Sequence, residues 1–153
     1  MKFIVHTDGG ARGNPGPAAI GVVIEEMDPS TRASTELSRM SSGRANKNRE
    51  VARFGKRIGE TTNNVAEYTA VIEALKAVKQ MVGESRDIEF YLDSTLVVNQ
   101  LNGLFKIKDP TLRSLATHIR ILEQEVGGGV HYTAVPRQQN RRADFLVNQA
   151  LDA

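Results

Sequence analysis

The apolar pattern changes period at Asn64, and that change limits the fold more than any single residue does. Before it, residues 2–7 and 18–26 are short apolar runs rich in β-branched side chains, and residues 51–59 make a third strand with basic edges. From Asn64 onward, Val65, Tyr68, Ile72, Leu75 and Val78 recur at helical spacing, with Ala66, Ala70, Ala74 and Ala77 beside them. Asn63 or Asn64 can cap that helix, which runs to about Met81. Strand and helix then alternate: a strand over 88–92, a short helix over 94–101, a helix opened by Pro110 and closed at Gly127-Gly128-Gly129, a strand over 130–135, and a helix over 141–151. Strands in succession followed by alternation predict a mixed α/β sheet flanked by helices.

A chain of 153 residues is expected to form one domain with a real core. Residues 28–50, rich in Ser, Arg and Asn without periodicity, read as a flexible insertion between two strands. With Cys 0, disulfide scaffolds, thiolate zinc sites, iron–sulfur clusters and cysteine nucleophiles are excluded. No run approaches the roughly 20 apolar residues a bilayer requires, and the N-terminal apolar run is too short for a signal peptide. A cytoplasmic location is expected. No segment looks like a spare apolar face, so the expected state is a monomer.

Lys+Arg 20 against Asp+Glu 18 gives a formal charge of +2, compatible with a polyanionic partner but equally with a neutral one. Arg32, Arg39, Arg44, Lys47, Arg49, Arg53, Lys56 and Arg57 face only Glu36 and Glu50 in the same stretch, and Arg137, Arg141 and Arg142 cluster near the end. Such runs are more often solvated faces than nucleic-acid surfaces.

Four acids stand out by position. Asp8 ends the first strand, Glu67 lies in the first turn of the first long helix, Asp93 ends the fourth strand, and Asp144 lies early in the last helix. In an α/β sheet, chemistry collects where strands end and helices begin. Taken singly, each acid is more simply a cap or a surface charge. Converging, they would repel one another unless cations neutralised them. Oxygen ligands without thiolate favour Mg²⁺ or Mn²⁺. Two such ions roughly 4 Å apart are a known device for cleaving phosphodiesters.

The neighbouring residues sharpen this reading. Asp8-Gly9-Gly10-Ala11-Arg12-Gly13-Asn14-Pro15-Gly16-Pro17 resembles the opening of the ribonuclease H family, type 1. Thr61-Thr62-Asn63-Asn64-Val65-Ala66-Glu67, Leu92-Asp93-Ser94 and Arg137-Gln138-Gln139-Asn140-Arg141-Arg142-Ala143-Asp144 resemble its second, third and fourth signatures, in family order. The resemblance implies a five-stranded mixed sheet, three antiparallel strands followed by two parallel ones. It also implies hydrolysis of the RNA strand of an RNA–DNA hybrid by two metal ions, Mg²⁺ with Mn²⁺ as second candidate, leaving 5′-phosphate and 3′-hydroxyl ends. By matched position Asp8, Glu67, Asp93 and Asp144 would be the metal-binding carboxylates. Asn14, Thr62, Asn63, Asn64 and Ser94 would hold the hybrid, Thr62 gripping a DNA-strand phosphate. Amide side chains suit this role, since they both donate to and accept from the 2′-hydroxyl that separates RNA from DNA. Helix capping by the Asn pair can coexist with it. Gly13 and Gly16 are explained mainly by turn geometry.

The chain departs from the family pattern in three places. Many bacterial members carry a histidine in the loop before the fourth carboxylate, where it assists proton movement and product release. Here Pro136-Arg137-Gln138-Gln139-Asn140 has Arg137, which stays protonated and can neutralise a phosphate but cannot act as a base. Neither His6 nor His118 is expected next to this loop, and no Ser-His-Asp arrangement can be assembled. Thr95 stands where some members have a minor-groove glutamine. The basic, Trp-rich protrusion of other members is missing: residues 102–111 are short, and Trp is 0. Few phosphate contacts are then pre-formed, so hybrid binding should be weak and salt-sensitive. No separate N-terminal hybrid-binding domain is expected.

Three alternatives stay open. One is a catalytically weak hybrid-binding module. A second is a related nuclease that also cuts double-stranded RNA. The third, a dinucleotide-binding fold, is suggested by the glycines after the first strand but ranks low, since Pro15, Pro17 and a second strand follow where a helix would be needed.

Overall fold

The computed structural model describes residues 2–27, 48–81, 87–127 and 129–153. Most of the 28–50 insertion expected from the sequence lies outside the described residues. Its end does not: Arg49 and Glu50 already belong to a strand.

Strands β1 (Lys2–Ala11), β2 (Gly16–Met27) and β3 (Arg49–Thr61) form an antiparallel meander, joined by β4 (Asp87–Leu92) and β5 (Val130–Ala134). The sheet order is β3-β2-β1-β4-β5, with β4 parallel to β1 and β5 parallel to β4. The predicted mixed sheet is therefore the observed one. β1 corrects one expectation. It does not stop at Asp8 but pairs on through Gly9↔Ile20, Gly10↔Ala19 and Ala11↔Ala18, because β2 continues to offer a partner edge. Glycine weakens a strand but does not end one that is held on its other side.

Helices α1 (Asn63–Lys79), α2 (Thr95–Leu101) and α3 (Pro110–Glu125) cover one face of the sheet, and α4 (Arg141–Asp152) covers the other. The main core joins Phe3, Val5, Val22, Ile24 and Phe90 of the sheet to Tyr68, Ile72 and Leu75 of α1 and to Ile119 and Leu122 of α3. Fully burying each such side chain is worth roughly 1.5–3 kcal/mol. Ala66, Ala70 and Ala74 of α1 are buried as well, and their small size lets the helix lie close to the strands.

Three of the four helix starts carry a side-chain cap, and α4 has none. Thr62 caps α1 by accepting from the Val65 amide at 3.2 Å, Ser94 caps α2 from Val97 at 3.3 Å, and Asp109 caps α3 from Leu112 at 3.0 Å with Pro110 behind it. The cap of α1 is thus Thr62 rather than Asn63 or Asn64, since the Asn63 side-chain Oδ1 already accepts from the Ala11 backbone amide at 2.8 Å. On the far face, α4 presses against the sheet at two glycines: a Cβ on Gly21 would lie 2.2 Å from the Ala143 carbonyl oxygen, and one on Gly55 2.6 Å from that of Leu146.

Candidate active site

The sheet's parallel and antiparallel halves meet at β1 and β4, and the carboxylates gather there. Asp8 stands within β1, with Gly21 opposite it on β2. Asp93 follows the last residue of β4. Glu67 lies one turn inside α1 rather than in its first turn, because the helix starts at Asn63. Asp144 does occupy the first turn of α4, where a carboxylate is favoured by the helix dipole. Oxygens of Asp8, Glu67 and Asp93 all lie within 4.8 Å of one another. Asp144 lines the same cleft of about 440 Å³.

Asp8 and Glu67 are 7% and 6% exposed, which makes their charge costly. Burial first, and then the charges of Asp93 and Asp144, push the Asp8 carboxyl up to about 7. Burial and the neighbouring charges of Asp8 and Asp93 raise Glu67 well above the ordinary range. Asp93 is raised by burial against the opposing pull of Arg137. Glu67 Oε2 is buried with no hydrogen-bond partner. A buried acceptor of this kind, in a cluster of hard oxygen donors carrying surplus negative charge, fits a divalent cation. Asp8, Glu67, Asp93 and Asp144 are the residues that could hold one.

The remaining predicted residues divide into two groups. Asn63, Asn64, Ser94 and Arg137 line the cleft with the carboxylates. Asn14 and Thr62 stand beside it and organise it. The Asn14 side-chain Oδ1 accepts from the Asn63 backbone amide at 2.9 Å, which ties the β1–β2 turn to the start of α1. Gly13, at φ +95°, makes the sharp turn that delivers Asn14 there. With their oxygens engaged, Asn14 and Asn63 have their amide NH₂ groups left to offer.

Arg137 opens a short 3₁₀ segment, Arg137–Asn140, and its Nε stands 4.0 Å from Asp93 Oδ2 with the side chain 85% exposed. Asn140 has a place that the sequence reading gave no role. It is 1% exposed; its Nδ2 donates to the Thr7 carbonyl at 2.8 Å, and its Oδ1 meets His6 Nδ1 at 3.3 Å. Asn140 therefore pins the Arg137 segment to β1, one residue from Asp8. The available signal was its place in the fourth signature, four positions before Asp144. The same contact corrects the expectation that no histidine adjoins this segment. His6 does, stacked on Tyr91 with ring centroids 5.3 Å apart and with burial lowering its pKa.

The basic run is largely spoken for where it is described. Arg49 pairs with Glu26, Arg53 with Glu50 and Lys56 with Glu73, while Arg57 donates to the carbonyls of Ala150, Leu151 and Ala153. These cations support the fold, and Arg32, Arg39, Arg44 and Lys47 lie outside the described residues.

A mixed sheet of this order, with carboxylates from β1, α1, the end of β4 and the start of α4 in one cleft, defines a ribonuclease H-like protein. Residues 6–150 match the family model described as reverse transcriptase-like. The crystal structure of RNase H1 from the archaeon Halobacterium salinarum superposes with a TM-score of 0.81 at 38% identity, over 99% of this chain and 98% of that one. A second structure, LC11-RNase H1 in complex with RNA/DNA hybrid, gives a TM-score of 0.77 at 39% identity, over 98% of this chain and 96% of that one. A bifunctional protein of Mycobacterium tuberculosis is 38% identical over 154 residues, 100% of this chain; the chain spans only 36% of that relative's length. The chain belongs to the ribonuclease H family, type 1.

Proposed function

We propose that this protein is an endoribonuclease that hydrolyses the RNA strand of RNA–DNA hybrids with divalent metal, leaving 5′-phosphate and 3′-hydroxyl ends. The observation that carries this reading is the convergence of Asp8, Glu67 and Asp93 within 4.8 Å, with a Glu67 oxygen buried and unpartnered. Asp8, Glu67, Asp93 and Asp144 would hold two cations of one kind, Mg²⁺ or, as the alternative, Mn²⁺. When bound, such ions supply a water nucleophile at neutral pH and neutralise charge at the leaving oxygen.

The chain's own residues do the rest. The four carboxylates fix the charge and shape of the cleft. Asn14 and Asn63 present amide donors, Asn64 adds a further amide, and Thr62 and Ser94 add hydroxyls, all chemistry suited to 2′-hydroxyls and phosphates. Arg137 keeps its proton throughout and offsets phosphate charge without acting as a base. The hybrid is the proposed partner, and the LC11-RNase H1 complex with RNA/DNA hybrid supports that choice. We propose a monomeric, single-domain catalyst. Among the described residues no helix is long and apolar enough to cross a membrane.

The test is cleavage of a labelled hybrid with and without Mg²⁺, beside the same RNA single-stranded or paired with RNA, with an Asp93→Asn protein run in parallel. Metal-dependent cutting of the hybrid's RNA strand, lost in the variant, supports the reading. Binding without cutting in either Mg²⁺ or Mn²⁺ would make the chain a binding module, and equal cutting of double-stranded RNA would widen its substrate class.

A further inference from the structure

Two cations line the acidic cleft, Arg12 and Arg137, and each is engaged by a carboxylate. The partners differ in kind. Arg137 leans on Asp93, one of the clustered acids. Arg12 Nη1 instead pairs at 2.6 Å with Asp152 Oδ1, on the last turn of α4 and apart from the cluster. Both groups are open to water, Arg12 at 48% and Asp152 at 67% exposure, so the pair lies at the surface beside the cleft that Arg12 lines.

The base of the Arg12 side chain is held by the backbone, while its tip rests on Asp152. The Arg12 amide donates to the Pro17 carbonyl at 2.8 Å, and the preceding amide of Ala11 donates to Asn63 at 2.8 Å. The side chain thus starts from a braced turn four residues after Asp8, and among the described residues its partner is Asp152. Nor does the end of α4 need Asp152 to hold it. Arg57 already donates to the carbonyls of Ala150 at 3.0 Å, Leu151 at 2.7 Å and Ala153 at 3.3 Å.

An exposed ion pair contributes little to stability, so its guanidinium can be given up cheaply. A phosphate diester offers that guanidinium a charge-assisted, two-pronged acceptor in exchange. We infer that Arg12 binds a backbone phosphate of the hybrid and that Asp152 holds it in reserve, so that the last turn of α4 competes with the substrate for one cation. The inference rests on the hybrid-nuclease reading, and it adds a contact that none of the signature asparagines or carboxylates provides.

The test compares the wild type, Asp152→Asn, Arg12→Met and the double variant on a labelled hybrid in Mg²⁺ over a range of KCl. Asp152→Asn is expected to lower KM about threefold at low salt with kcat unchanged, the size of one exposed ion pair. Arg12→Met should raise KM roughly five- to tenfold and reduce the slope of log KM against log salt by about one, the signature of one lost phosphate contact. In the Arg12→Met background, Asp152→Asn should have no further effect. An Arg12→Met protein with unchanged KM and salt slope overturns the inference, as does an Asp152→Asn effect of equal size in both backgrounds. A wild type that cuts no hybrid at all is a different failure, since it removes the functional reading and this inference with it.

Discussion

The backbone of Glu67 passes directly over Gly9: a Cβ on residue 9 would lie 2.5 Å from the Glu67 amide nitrogen and 2.3 Å from the Ala66 carbonyl carbon. No side chain fits that gap. The contact brings the carboxylate of α1 beside the one on β1, since Asp8 precedes Gly9. Gly10 is different, because its added Cβ would meet only the Val147 side chain at an ordinary 3.7 Å. We therefore expect Gly9→Ala to cost about 3 kcal/mol through backbone displacement, and Gly10→Ala to cost less than about 1 kcal/mol. Chemical denaturation of both proteins checks the pair, and equal effects would contradict the close approach.

Burial and like charge hold the Asp8 carboxyl up to about 7 in the folded protein, against about 3.9 when unfolded. The folded state then binds the proton more tightly. Stability from this group is complete below about pH 4 and is lost as pH rises towards 7. In metal-free protein, Asp8→Asn should raise stability at pH 8 by on the order of 2 kcal/mol and change it little at pH 4. Thermal melts at the two pH values in chelator measure this. A variant less stable than wild type at pH 8 would contradict the electrostatic account.

The same proton competes with a cation. The Mg²⁺ concentration for half-maximal stabilisation of the wild type should therefore rise as pH falls below about 7, the value to which Asp8 is pushed. Melting temperature against added Mg²⁺ at pH 6 and pH 8 reads it directly. A requirement that is the same at both values would count against Asp8 as a ligand.

Asn14 accepts from the Asn63 backbone amide through its Oδ1 at 2.9 Å, and its NH₂ group is the one we propose meets the hybrid. Asn14→Asp keeps the acceptor and replaces the donor with a negative charge. It should leave stability within about 0.5 kcal/mol while weakening hybrid binding at least about tenfold, the loss of one hydrogen bond plus repulsion of phosphate. Asn14→Ala should lose some of both. Denaturation and fluorescence anisotropy with a labelled hybrid separate the two effects.

The strands and helices were legible in the chain from periodicity, whereas the order of the sheet and the grouping of the four acids came from the resemblance of four local segments to the ribonuclease H family. The first β-runs and the helical spacing after Asn64 needed no tertiary information. What escaped depends on contacts distant in sequence. β1 runs past Asp8 because β2 offers Ile20 and Ala19 as partners. Thr62 caps α1 because the Asn63 oxygen is taken by Ala11, 52 positions away. His6 touches Asn140 across 134 positions, a pairing that no local pattern encodes. The partners of the basic residues 49–57, which lie on β2, α1 and α4, are likewise set by tertiary contacts.

The most direct test of the central claim is the cleavage assay with labelled hybrid, wild type beside Asp93→Asn, in Mg²⁺ and in chelator. The convergence of Asp8, Glu67 and Asp93 predicts cutting of the RNA strand by the wild type in Mg²⁺ only, with 5′-phosphate ends, and loss of at least about 100-fold in the variant. Cleavage that persists in chelator, or that survives Asp93→Asn unchanged, would contradict it.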